Sequence, residues 1–243
     1  MDDLSWAEIQ QFAKLGVANT LFSVGDTKSN VTVLTKKLEC EDIYNASDGY
    51  TEESSSSNKM DFFICHKTNT ELYFCSKGLV IDWPNAIANR SINGRVYEAS
   101  YTGLETYLAQ NASKIIPEPY AYMKQKSINI NAFSDIAKYA SYNSSVKVFV
   151  PSINELSGGF SYFSSNARRI LDDSKRYKTR DIGQYFHDAS ESKYNVMASF
   201  IEIGGAVVKN AYSDTYHSYL DTPVLGSMYA KNSLSSPLCF CIG

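Results

Sequence analysis

The sequence predicts an α+β domain with antiparallel strands and short helices, on three observations. Strand-like segments stand near both ends of the chain, at Val31 to Leu34 and again at Pro237 to Ile242, where β-branched, apolar and Cys residues gather. Helical spacing of apolar residues occurs near the start and again around residues 102–108. Val146, Val148 and Val150 alternate with other residues, the period of a strand with one buried face. Strands at the ends with helices between them favour α+β over repeated βαβ units, and suggest terminal strands that pair with each other. At 243 residues and 44% hydrophobic content, the chain can bury a substantial core. Its organisation reads as a helical segment over 1–24 followed by one large domain over 25–243.

Taken in order, Ser5 and Glu8 form a capping box, and Trp6, Ile9, Phe12 and Ala13 share one helical face. Gly16 closes this helix. So short a helix is marginal alone and must dock on something. Phe22 and Val24 lead straight into strand-like residues, so its own domain is favoured over a neighbouring subunit. Residues 45–59, with Asn, Asp, Gly, two Glu and four consecutive serines, read as a solvated loop. Over 61–83 the residues suggest two or three strands, and Thr68, Asn69 and Thr70 would join the strands of Cys65 and Cys75 as a hairpin.

Thr102 with Glu105 starts a helix whose Leu104, Tyr107 and Leu108 form a narrow apolar stripe. Pro117 and Pro119 break it, and short helical turns are expected at 119–126 and 133–141. The strand at 146–150 must stop at Pro151, which has no N–H for a ladder. Ser152 and Glu155 then cap a short helical turn, which Gly158 and Gly159 end. A helix is expected over 162–171 with Phe163, Ala167 and Ile170 inward. Gly204 and Gly205, between 197–203 and 206–208, are a two-residue hairpin signal.

The segment from Val148 through Pro151, Ser152 and Glu155 resembles the Pro-Ser-x-x-Glu element of an uncharacterised phage and prophage domain family of Gram-positive bacteria, often encoded near tail genes. The opening is similar as well: Trp6, Ala7, Glu8 and Ile9, then Gly16, Val17 and Ala18, then Phe22 through Val24, Gly25, Asp26, Thr27 and Lys28. Tyr177 through Arg180 and Asp181 resembles the family's aromatic–Thr–Arg stretch, without the paired tryptophans that usually precede it. Pro237 through Ile242 looks like its closing strand. The pattern is similar in turn to C-type-lectin-like domains, which implies a lectin-like fold with binding loops displayed before the final strand. Fold by itself does not dictate function.

Charge and motifs narrow the classes. A net charge of −3 exerts no global pull toward nucleic acid or anionic membrane. No run approaches ~18 apolar residues, so no membrane helix is expected. The Met1, Asp2, Asp3 start is unlike a secretory signal, so the chain is expected to be made in the cytoplasm and to bypass the general secretory route. The Asn-x-Ser/Thr triplets at Asn30, Asn45, Asn89, Asn111 and Asn143 then reflect composition rather than glycosylation. Five cysteines, an odd number, argue against a disulfide framework. Cys239 and Cys241 share one face of a strand, no Cys-x-x-Cys occurs, and His66 stands alone, so buried reduced thiols are expected rather than a zinc site.

Phosphate-loop, dinucleotide, nucleophile-elbow and His-Glu-x-x-His motifs are missing from the sequence. His217 lies near Asp214 and Ser218, yet sequence neighbours rarely converge on one reaction centre. In 168–181, six basic residues are interleaved with Asp172, Asp173 and Asp181, which favours a solvated face over a phosphate footprint. Acidic pairs occur without EF-hand spacing. No catalytic residue, metal or cofactor is assigned.

The candidate recognition surface lies at 211–229, where Tyr212, Tyr216, His217, Tyr219 and Tyr229 are interleaved with Asp214 and other small polar residues. Tyrosine offers large apolar area with a polar tip, and the chain holds 18 of them. Covering a sheet is the plain alternative for these rings. Pro223, Gly226 and the lack of a sustained period favour exposure of part of the segment. The resemblance implies a non-enzymatic virion protein, a tail or fibre component. Its partners would be other virion proteins, further copies of itself, and a host-surface glycan or protein. The alternative is a prophage-encoded enzyme or carbohydrate-processing accessory with an unrecognised site.

Overall fold

The structure, a computed structural model, describes residues 1–39, 51–83, 90–92, 95–97, 100–130, 142–152, 155, 159–162, 177–178, 185–188, 193–196, 200–201, 207–208, 214–217 and 234–243. Helix α1 (Trp6–Lys14) opens with the capping box: Ser5 N–H donates to Glu8 Oε2 at 2.7 Å and Glu8 N–H to Ser5 Oγ at 3.3 Å. Gly16, at φ +74°, ends it in the left-handed region that glycine adopts freely. Trp6, Ile9 and Ala13 are buried, and Trp6 meets Phe74 and Phe240 edge-on at 5.3 and 5.7 Å. The helix therefore docks on its own sheet. Its apolar face is spent there and is not left open for a partner.

After the single turn α2 (Ala18–Leu21), four strands follow: β1 (Thr27–Glu39), β2 (Thr51–Lys67), β3 (Leu72–Ser76) and β4 (Ile81–Trp83). Residues 51–59 are exposed, as their composition suggests, but they are strand rather than loop. Their register with β1 runs from Lys59 opposite Thr32 to Thr51 opposite Glu39. Main-chain pairing with a long partner strand overrides the low strand propensity of Ser and Glu. Residues 45–50 of the expected loop lie outside the described residues. The β2–β3 hairpin turns where expected, with Thr68 N–H donating to Glu71 C=O at 2.8 Å.

Among the described residues, the principal sheet has eight strands. Its order is Val148–Phe149, Cys239–Ile242, β3, β2, β1, β4, Leu234–Ser236, with Met123–Lys124 also on Cys239–Ile242. Pairing is antiparallel except between β1 and β4. Leu234–Ser236 and Cys239–Ile242 are separated only by Pro237 and Leu238, yet stand near opposite ends of that order. The sheet must therefore curl until its ends approach. Pro237, having no N–H, sits where the ladder breaks.

Ser76 fastens this corner. Its N–H donates to Leu238 C=O at 2.9 Å, its Oγ donates to Gly78 C=O at 2.7 Å, and Leu238 N–H donates to that Oγ at 2.9 Å. Past the corner, Val80 N–H donates to Ser236 C=O at 2.9 Å, and Trp83 Nε1–H donates to Ser236 Oγ at 2.8 Å. Both serines are fully buried. The terminal strands share one sheet but do not pair with each other, contrary to expectation. The β2–β3 hairpin occupies the positions between β1 and the last strand.

Helix α3 spans Ser100–Ile115, starting two residues before the Thr102 cap expected from the sequence. Leu104, Tyr107, Leu108, Ala112 and Ile115 are its buried side. The turn α4 (Pro117–Tyr120) follows with a proline at its start. This turn meets the start of the helical turn expected over 119–126, but within that range Met123–Lys124 is a strand, and a further strand, Lys126–Ile130, follows. Lys126–Ile130 finds an antiparallel partner in Tyr142–Val146, with Ile128 buried. Residues 133–141, and all but residue 162 of the expected helix over 162–171, lie outside the described residues. Phe200–Ile201 and Val207–Val208 pair antiparallel on either side of the Gly204 and Gly205 signal.

Candidate functional site

Of the candidate recognition residues, Asp214, Tyr216 and His217 fall in a strand, Asp214–His217, while Tyr212, Tyr219 and Tyr229 lie outside the described residues. This strand covers four residues of the 211–229 stretch. It pairs with Lys193–Val196, placing Tyr216 opposite Tyr194 and His217 opposite Lys193. Lys193–Val196 pairs in turn with Tyr185–Asp188, completing a separate three-stranded sheet. Aromatic and Thr residues suit such ladders, and the partner strand supplies the register that the sequence alone leaves open. The basic run at 168–181 is described only at Tyr177–Lys178, which pairs with Phe200–Ile201.

Pro151, Ser152 and Glu155 form the expected stop and cap. The strand expected over 146–150 is divided between Tyr142–Val146 and Val148–Phe149, which ends two residues before Pro151, and Val148, Phe149 and Val150 are all buried rather than alternating. Glu155 N–H donates to Ser152 Oγ at 3.1 Å, and Ser152 N–H donates to Glu155 Oε2 at 2.8 Å. The turn that follows is wider than an α-helix, since Phe160 N–H reaches back five residues to Glu155 C=O at 3.0 Å. Ser152→Ala is expected to destabilise the chain by about 0.5–2 kcal/mol, read as a lower denaturation midpoint. A variant with wild-type midpoint but lost binding would make the motif functional instead.

That wide turn delivers Phe160, Ser161 and Tyr162 onto the β2–β3 hairpin. His66 receives that turn. Its Nδ1 lies 2.7 Å from Ser161 Oγ and accepts the Ser161 N–H at 3.3 Å. The ring stacks on Phe160 at 5.8 Å and meets Tyr73 edge-on at 5.4 Å. Tyr162 rests on Phe63 at 5.0 Å. The backbone N–H directed at Nδ1 favours the neutral tautomer with its proton on Nε2, whereas the hydroxyl can donate to that nitrogen or accept from it. Burial lowers the His66 pKa, against the opposing pull of the Glu71 and Glu155 carboxylates. No motif in the sequence joins positions 66 and 161; only the fold does.

Nearby, Glu71 is held by Lys124 at 2.6 Å, by Lys126 at 3.0 Å, and by the Tyr73 hydroxyl, which donates at 2.9 Å. Burial would raise its carboxyl, but the two ammonium groups and the phenol outweigh it and bring the pKa down to about 2. Cys75 stands directly opposite Cys239 in the register, and Cys65 Sγ–H donates to Tyr73 C=O at 3.3 Å. The four described cysteines are free and buried. Burial pushes Cys65 up to about 11 and Cys241 to about 12, with Cys75 and Cys239 well above the usual thiol range. They are protonated, unreactive core groups at neutral pH. Cys40 lies outside the described residues.

A surface cavity of about 200 Å³ between β1, β2 and β4 is lined by residues including Lys36, Lys37, Ser55 and Asp82. The Lys36 ammonium is 2.6 Å from Glu52, which also accepts the Tyr107 hydroxyl at 3.1 Å. Among the described residues no group of three or more His, Cys, Asp or Glu is placed to hold a metal ion, and no helix is long and apolar enough to cross a membrane. No family model, curated protein or solved structure matches the chain.

Proposed function

We propose that this chain is a non-enzymatic structural protein of a phage particle, a tail or fibre component with a lectin-like domain. It assembles with other virion proteins and with copies of itself, and contacts a host-surface glycan or protein. The observation that carries this reading is the convergence of the pieces that resemble the phage tail-associated family. Trp6, Ser152 with Glu155, and the strand of Phe240 are far apart in sequence. Trp6 packs on Phe240, and Ser152 follows the Val148–Phe149 strand that pairs with Cys239–Ile242. The shared residues thus build one framework, and none of them is reactive. Among the described residues, the His66–Ser161 contact is the pairing closest to acid–base chemistry. A backbone N–H also enters Nδ1, so that nitrogen is not given over to the hydroxyl alone.

Mass spectrometry of purified particles tests the proposal, with immunogold microscopy to place the chain on the tail. Absence from particles together with hydrolysis of a glycan panel would establish the enzymatic alternative. For the recognition strand, Tyr216→Ala should weaken attachment by more than ~1 kcal/mol while the unfolding midpoint stays near wild type. Unfolding of that variant would show that Tyr216 serves the fold.

A further inference from the structure

Only residues 62–67 of β2 pair with β3. Over 51–59 every residue is exposed, and among the described residues no strand lies on the side away from β1. Hydrogen bonds fix which backbone groups face that side. Lys36 N–H donates to Val80 C=O at 2.8 Å and Thr32 N–H donates to Glu118 Oε1 at 3.3 Å, so both turn away from β2. Pairs in an antiparallel ladder alternate between bonding each other and facing outward. The partners of Lys36 and Thr32, which are Ser55 and Lys59, and Ser57 between them, therefore turn their N–H and C=O groups away from β1. Asp61 belongs to the same row, and its C=O accepts the Lys77 N–H at 2.9 Å where β3 departs. Past Asp61 the row is open, and short serine side chains leave it accessible.

An open row of this kind is a template for one more strand. The geometry points to a second copy of this chain as that strand, its own β2 laid antiparallel along the outer edge of 53–59. With the two-fold axis at Ser56, Ser55 stands opposite Ser57 of the other copy, and Lys59 comes beside the other copy's bulge at Glu53. That bulge lies where the register with β1 steps from Ser54 to Glu52. The segment is acidic at its start and basic at its end, so antiparallel pairing with itself sets acid against base at both ends. A foreign strand would have to reproduce that pattern, whereas a second copy supplies it by symmetry. Glu53 and Lys59 already touch Lys37 at 2.7 Å and Glu118 at 3.6 Å, but these are exposed pairs that a further opposite charge can share.

So short a ladder falls below the ~800 Å² per partner of a standard interface, so the free chain dimerises weakly, and repetition in an assembly strengthens the contact. The inference rests on the proposed assembly with copies of itself and names the surface that makes it.

Sedimentation of the full chain from micromolar to near-millimolar concentration should show a reversible monomer–dimer equilibrium. Amide exchange at Ser55, Ser57 and Lys59 should slow as the dimer forms. Ser57→Pro removes an outward N–H and no bond to β1, and should weaken dimerisation by about tenfold or more. Glu53→Lys and Lys59→Glu each set like charges together and should each dimerise severalfold less. An equimolar mixture of those two variants should recover the wild-type extent, which a folding defect could not produce. A strict monomer throughout the range, a dimer indifferent to Ser57→Pro, or no recovery on mixing overturns the proposal. Should Ser57→Pro fail to fold, the charge variants decide. A monomeric chain that is nonetheless found in purified particles would remove this edge contact and leave the virion reading standing.

Discussion

Phe240→Ala is expected to lower stability by about 3–5 kcal/mol, the cost of truncating a buried aromatic and leaving a cavity. Phe240 has no exposed surface. Its ring stacks on Phe74 at 5.2 Å and 14°, lies 5.4 Å from Phe62, and receives the edge of Trp6. Collapse cannot fill the hole cheaply, because these neighbours belong to different elements. Its own backbone is also paired on both sides, with β3 and with Val148–Phe149. Domains of this kind are stable by only about 5–15 kcal/mol, so the loss is a large share of the whole. Guanidinium denaturation should show the shift, and a red-shifted tryptophan emission should show α1 loosening around Trp6. Leu21→Ala, at a residue 53% exposed, should stay within about 0.5 kcal/mol of wild type. A Phe240→Ala loss below 1 kcal/mol would show that the core does not centre on this ring.

The sequence was most legible where one local rule decides the outcome. Ser5 with Glu8 and Ser152 with Glu155 are short-range hydrogen-bond pairs, and both form as their spacing dictates. The hairpin around Thr68 to Thr70 is equally local. What the sequence concealed depends on partners distant along the chain. The serines of 51–57 read as loop until β1 lies beside them. Residues 123–126 read as part of a helical turn until Met123–Lys124 pairs with the last strand and Lys126 enters a strand that pairs with Tyr142–Val146. Expected pairing of the terminal strands failed for the same reason, since strand order is a property of the whole sheet.

The candidate site divides along the same line. Its capping residues were readable in advance, because their chemistry is local. The meeting of His66 with Ser161 was not, since a lone histidine and one serine among many carry no spacing signal. At Tyr216 the aromatic composition was visible, whereas its ladder with Tyr194 required a partner strand that periodicity could not name.

Ser76 is the sharpest case of a residue whose weight is invisible in sequence. Ser76→Ala is expected to destabilise the chain by about 1–3 kcal/mol, because it strands the Leu238 N–H at a buried corner. One hydroxyl there accepts from Leu238 N–H and donates to Gly78 C=O, and no surface remains through which water could replace it. The same deletion at Thr35 offers a contrast. Its hydroxyl donates to Ser56 C=O at 3.1 Å in an exposed setting, where water can substitute. Thr35→Ala should therefore change stability by no more than about 0.5 kcal/mol. Equal losses at the two positions would mean that Ser76 does not fasten the corner. A larger loss at Ser76, with faster amide exchange at Leu238 and Val80, would locate the damage where β3 hands the ladder over to β4.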